Sequence, residues 1–96
     1  MPVRLPIASI LYTTKFQRSY KRLSAEIKAT TEKTEPVIRA NIFDPRLKTH
    51  KLSGKLKDLW SLSITPSNRI IFEFLGDSNE GMEILLHDIG DHRVYQ

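Results

Sequence analysis

Residues 44–57 read Asp-Pro-Arg-Leu-Lys-Thr-His-Lys-Leu-Ser-Gly-Lys-Leu-Lys, and residues 58–74 continue Asp-Leu-Trp-Ser-Leu-Ser-Ile-Thr-Pro-Ser-Asn-Arg-Ile-Ile-Phe-Glu-Phe. The first part is a cationic loop holding one histidine, with Gly54 as a flexible point. The second part has a period of two: Trp60, Leu62 and Ile64 fall on one face, and Ser61, Ser63 and Thr65 on the other. Pro66-Ser67-Asn68 is a turn. The next strand, Arg69 to Leu75, puts Ile70, Phe72 and Phe74 on one face and Arg69, Ile71 and Glu73 on the other. Residues 76–81 form a hairpin loop. Met82 to Ile89 is a third strand, apolar on both faces in its middle and so expected inside the sheet. Gly90 ends it, and residues 91–96 are a short tail. This three-stranded antiparallel meander decides the fold and presents the basic loop.

Upstream, Ile7 to Tyr12 reads as a short strand after a proline-containing lead-in. Thr14 with Gln17 three residues on makes a capping-box signature for a helix start. Phe16, Tyr20, Leu23 and Ile27 then recur at helical spacing, with Lys15, Arg18, Lys21, Arg22 and Lys28 on the solvated faces. The polar run 30–35 breaks the pattern. Pro36 suits the first turn of a second, shorter helix over 35–43 that buries Val37, Ile38 and Ile42, and Asp44-Pro45 stops it. The architecture expected is α+β in a single domain spanning 1–96: an N-terminal strand and a two-helix hairpin packed on an antiparallel β-sheet. The sheet face away from the helices would carry Ser61, Ser63, Arg69 and Glu73 and would be open to a ligand.

The 96 residues contain no cysteine, which excludes disulfides and thiol chemistry and favours a cytoplasmic location. No apolar run is long enough to span a membrane, and the N-terminus lacks a signal-peptide pattern. The net charge of +4 is unevenly spread. Arg46, Lys48, Lys51, Lys55 and Lys57 fall within twelve residues that hold no acid, while the last third of the chain is acidic. Such a block suits a polyanionic partner.

Cleaving RNA through its own 2′-hydroxyl requires a base for that hydroxyl, an acid for the leaving oxygen, and positive charge on the phosphate. His50 lies in the basic loop and His92 just after the last strand, and imidazoles serve either proton-transfer role. Arg69 offers a planar fork of donors to phosphate oxygens. Tyr95 could stack on a base or donate a proton. Arg46, Lys48, Lys51, Lys55 and Lys57 could hold flanking phosphates. His87, in mid-strand, reads as packed or hydrogen-bonded, and Trp60 as core. No metal-ligand spacing and no Gly-rich phosphate loop is present, so no metal, cofactor or small-molecule ligand is expected.

His50-Lys51-Leu52-Ser53-Gly54-Lys55-Leu56-Lys57, followed by residues 59–64 and Arg69-Ile70-Ile71-Phe72, resembles the RelE/ParE superfamily of toxins from type II toxin–antitoxin systems. The closing Asp88-Ile89-Gly90-Asp91-His92 with Tyr95 is similar to the YafQ-like branch. The resemblance implies a RelE-like fold, metal-independent cleavage of mRNA on the translating ribosome, and an antitoxin that wraps and neutralises the toxin. It implies that His50, His92, Arg69 and Tyr95 carry the catalysis. Ser63, Ser67 and Asn68 stand where the YafQ-like branch has a histidine, an aspartate and a tryptophan. Two other readings follow from the same superfamily: a ParE-type inhibitor of DNA gyrase, or a catalytically weak antitoxin-binding module.

Overall fold

A computed structural model describes residues 6–78 and 80–95. The residues of the lead-in before Pro6, Asn79 in the expected hairpin loop, and Gln96 of the tail lie outside the described residues. The elements in chain order are β1 (Ile7–Tyr12), α1 (Thr14–Lys21), α2 (Ala25–Ala40), β2 (His50–Lys51), β3 (Trp60–Thr65), β4 (Asn68–Ser78) and β5 (Gly81–Gly90). Short 3-10 turns occupy Pro45–Leu47, Gly54–Leu56 and His92–Tyr95.

Five strands form one sheet in the order β1-β5-β4-β3-β2. The meander β3-β4-β5 is antiparallel as its alternation implies, and β5 lies inside the sheet. The sheet as a whole is mixed rather than antiparallel, because β1 pairs with β5 in parallel. The helical hairpin carries the chain over the sheet between β1 and the meander, so the sequence periodicity gave no sign of which strand β1 would meet.

The helices break where the apolar spacing did not show it. Thr13, one residue before the expected cap, accepts a hydrogen bond from the Phe16 amide at 3.0 Å and starts α1. Ser24 accepts from the Ile27 amide at 3.2 Å and starts α2. Leu23 and Ile27, read as one continuous face, therefore lie on opposite sides of a helix boundary. Conversely, the polar run 30–35 does not interrupt α2. Thr30, Thr31 and Thr34 turn their hydroxyls back onto the carbonyls of Glu26, Ile27 and Thr30, which satisfies them inside a helix. Pro36 sits within α2 and not in its first turn.

The helix side of the sheet holds the core: Leu62, Ile70, Phe72, Ile84 and Leu86 from the strands, Phe16 and Ile38 from the helices, and Ile42 and Leu47 from the segment that follows. Trp60 packs at its margin between Phe43 and Phe74. The expected six-residue hairpin loop is shorter, because β4 continues to Ser78 and β5 begins at Gly81. Gly81 is required there. Its φ is +134°, and a Cβ would lie 2.5 Å from the Pro6 carbonyl oxygen, which accepts from the Met82 amide.

Pro36 is exposed and supplies no amide for helical bonding, so Pro36→Ala should stabilise the chain. A gain of about 1–3 kcal/mol in urea unfolding is expected for a proline removed from a helix interior. A neutral or destabilising result would fit a helix that begins at residue 35 instead.

Candidate functional site

The face of the sheet away from the helices is only partly open. The turn His92–Tyr95 folds back over it and packs on β4 and β5. Gly90 permits this fold-back, since a Cβ there would meet the Val94 side chain at 3.2 Å. Asp91 braces the turn by accepting from the Arg93 amide at 3.0 Å and from its guanidinium at 2.8 Å. These bonds, the side-chain bond first, lower the Asp91 carboxyl to about 2. The brace is therefore present above the usual carboxylate range and is lost only as pH falls towards that value.

Tyr95 is the centre of the arrangement. Its hydroxyl lies 2.9 Å from the hydroxyl of Ser61 on β3. Ser61 is fully buried, so the face expected to expose it is closed at this point, and Ile71 beside it is buried too. The Arg69 guanidinium from β4 sits 5.8 Å from the centroid of the Tyr95 ring, within cation–π range. Arg69 makes no ion pair among the described residues, and Glu73 is taken by His87 at 2.9 Å.

His50 joins this group through the register. It pairs directly with Ser61 across β2 and β3, so the two side chains share a face. Its Nδ1 lies 3.0 Å from the Lys48 carbonyl oxygen. A carbonyl only accepts, so Nδ1 carries the proton and, in the neutral ring, Nε2 holds the free lone pair. Lys48 presents that carbonyl from a left-handed conformation, φ 51°, which turns the chain from the 3-10 turn into β2. His92 is exposed and opens the turn that Tyr95 closes. Residues three apart in a 3-10 turn eclipse one another, so the two stand on one side of it.

The cations of the loop separate into different environments. Arg46 is held by Asp44 through its side chain at 2.8 and 3.0 Å. Lys51 pairs with Trp60 and so faces the opposite side of the sheet from His50. Lys48, Lys55 and Lys57 are exposed and form no ion pair among the described residues. The structure thus sets His50 across from Ser61, ties Tyr95 to Ser61, puts Arg69 over the Tyr95 ring, and places His92 in the turn that carries Tyr95. Ser61 was legible only as a polar strand position; its role as Tyr95's partner had no sequence signal. Among the described residues, no group of three metal-ligating side chains comes together, and no helix is long and apolar enough to cross a membrane.

Tyr95→Phe leaves a buried Ser61 hydroxyl without its partner. The cost expected is about 1–3 kcal/mol, and adding Ser61→Ala should recover much of it. Equal losses in the single and the double variant would contradict the coupling.

No protein-family model matches the sequence, and no curated protein matches it. Solved structures do resemble it. The YoeB/ParE toxin from Agrobacterium tumefaciens superposes with a TM-score of 0.70 at 18% identity, covering 88% of this chain and 98% of that one. The RelBE2 toxin–antitoxin complex from Mycobacterium tuberculosis gives 0.65 at 14% identity, over 94% and 100%. YafQ in the DinJ-YafQ complex from E. coli gives 0.62 at 16%, over 90% and 93%. The chain has the RelE-like fold of these toxins.

Proposed function

We propose that this chain is the toxin of a type II toxin–antitoxin system, acting in the cytoplasm as a ribosome-dependent mRNA endonuclease. The observation that supports it best is a chain of neighbours from three parts of the fold: His50 pairs with the buried Ser61, Tyr95 bonds to Ser61, and Arg69 lies over the Tyr95 ring. The likeness to toxin structures agrees with it. The reaction needs no resident cofactor.

In this reading His50 accepts the 2′-hydroxyl proton at Nε2, the position its bond to the Lys48 carbonyl leaves with a lone pair. The 2′-oxygen attacks phosphorus, and the 5′-oxygen leaves with a proton from His92. The products are a 2′,3′-cyclic phosphate and a 5′-hydroxyl. Arg69 neutralises the charge that develops on the phosphoryl oxygens. Tyr95 acts as a positioning residue, because its hydroxyl is committed to Ser61 and its ring lies beneath the guanidinium. Lys48, Lys55 and Lys57 hold the RNA backbone, with the Asp44-paired Arg46 at the flank, while Lys51 faces the other side of the sheet and is left out of this contact.

The antitoxin partner covers this cationic surface with an acidic segment. Charge reversal at Lys55 and Lys57, or raised salt, should weaken that complex. Affinity unmoved by either would count against this mode of neutralisation.

Primer extension on a reporter mRNA in a reconstituted translation reaction tests the activity. Cuts should require ribosomes. His50→Ala and Arg69→Ala should each reduce them by about 10²-fold or more. Undiminished cutting in either variant would remove that residue from the site. Intact mRNA with stabilised gyrase–DNA cleavage complexes would favour the gyrase reading.

A further inference from the structure

Glu73 and His87 have no role in the reaction above, yet they share its sheet face. Ile70 and Phe72 point into the core, so Arg69, Ile71 and Glu73 alternate onto the other side of β4. Glu73 stands four residues from Arg69, about 13 Å along the strand, a span that roughly one or two nucleotides of extended RNA can cover.

His87 reaches this face through a break in the ladder. Ile71 pairs with Asp88 and Phe72 with Leu86, which leaves His87 as an extra residue on β5. A bulge of this kind re-aims a side chain. Thr13 fixes it from behind: its amide donates to the Leu86 carbonyl at 3.0 Å and its hydroxyl to the His87 carbonyl at 2.9 Å. On the outer side the ring meets Glu73, with Nε2 2.9 Å from Oε1.

An ionised carboxylate only accepts, so Nε2 carries the proton and the bond tethers Oε1 of Glu73. Oε2 of Glu73 then has no partner among the described residues. Both side chains remain partly exposed, at 38% and 32%. Leu85 pairs with Glu73 across the strands, and Leu75, two residues further along β4, is exposed. The result is an unpaired acceptor on a tethered carboxylate and an imidazole face bordered by apolar side chains, which are the parts a nucleobase requires.

We propose that Glu73 and His87 form a base-reading subsite that selects a nucleotide flanking the scissile phosphate by its exocyclic amino group. The inference rests on the reading that this face binds RNA. A carboxylate oxygen accepts from the amino group of cytosine or adenine, whereas uracil presents a carbonyl at the corresponding position. Cytosine and adenine are therefore favoured over uracil. The His87 ring supplies a surface for stacking.

The test is equilibrium binding of 2′-O-methyl tetranucleotides of C, A or U, which lack the nucleophile and cannot be cut by this route. The wild-type chain should bind the C and A oligomers about five- to tenfold more tightly than U, the discrimination a good base contact gives. In Glu73→Gln the amide N–H₂ can face the base, so the preference should fall or reverse towards U while salt dependence stays the same. Equal binding of all three oligomers, no binding at all, or an unchanged preference in Glu73→Gln would each overturn the subsite. Ribosome-dependent cutting without base discrimination would leave the proposed activity standing and remove only this inference. Discrimination that Glu73→Gln abolishes, in a chain that does not cut mRNA, would do the reverse.

Discussion

The hydrogen bond between Ser61 and Tyr95 is the contact on which the proposed site depends. Ser61 is sealed from solvent, so its hydroxyl must find a partner inside the protein or carry a desolvation cost. The partner comes from the far end of the described chain. Meeting that requirement fixes the last turn against the sheet, and the turn carries His92 with it. The same tyrosine ring then lies under Arg69, whose position is set by β4. One satisfied hydroxyl therefore couples a strand, its neighbour and the C-terminal turn.

The remaining parts are placed by backbone devices of limited freedom. The bulge at His87 and the α1 cap are held by one residue, Thr13, which bonds to the Leu86 and His87 carbonyls and caps the helix. The helical hairpin is thereby tied to the strand that leads into the last turn. At the opposite edge, a left-handed Lys48 and a two-residue strand bring His50 level with Ser61. Histidine and arginine thus stand on sheet positions rather than on free loop. Preorganisation of that kind is what electrostatic stabilisation of a phosphoryl transition state requires.

The meander could be read from residues 59–89 because strand alternation is local: Trp60, Leu62, Ile70 and Phe72 declare their face without reference to the rest of the chain. The helix boundaries could not. Thr30, Thr31 and Thr34 look like loop residues, and only their bonds to preceding carbonyls make them tolerable within α2. The parallel pairing of β1 was also hidden, since it joins residues more than seventy positions apart. Among the site residues, sequence singled out His50, Arg69, His92 and Tyr95 by type. It could not show that Tyr95 reaches Ser61, that Lys51 turns to the opposite face, or that Arg46 is occupied by Asp44. Those facts belong to register and to the fold-back of the last turn.

In the proposed activity charge and chemistry meet: the exposed lysines are to guide a polyanion towards a face where one imidazole has its acceptor nitrogen free. The central claim is that the RNA supplies its own nucleophile. The direct measurement is cutting of a ribosome-bound mRNA carrying a single 2′-deoxynucleotide on the 5′ side of the mapped cut. The account requires that this one substitution abolish cleavage there, and that the unmodified message yield 2′,3′-cyclic phosphate ends. Continued cleavage at the deoxy position would mean attack by water and would contradict it.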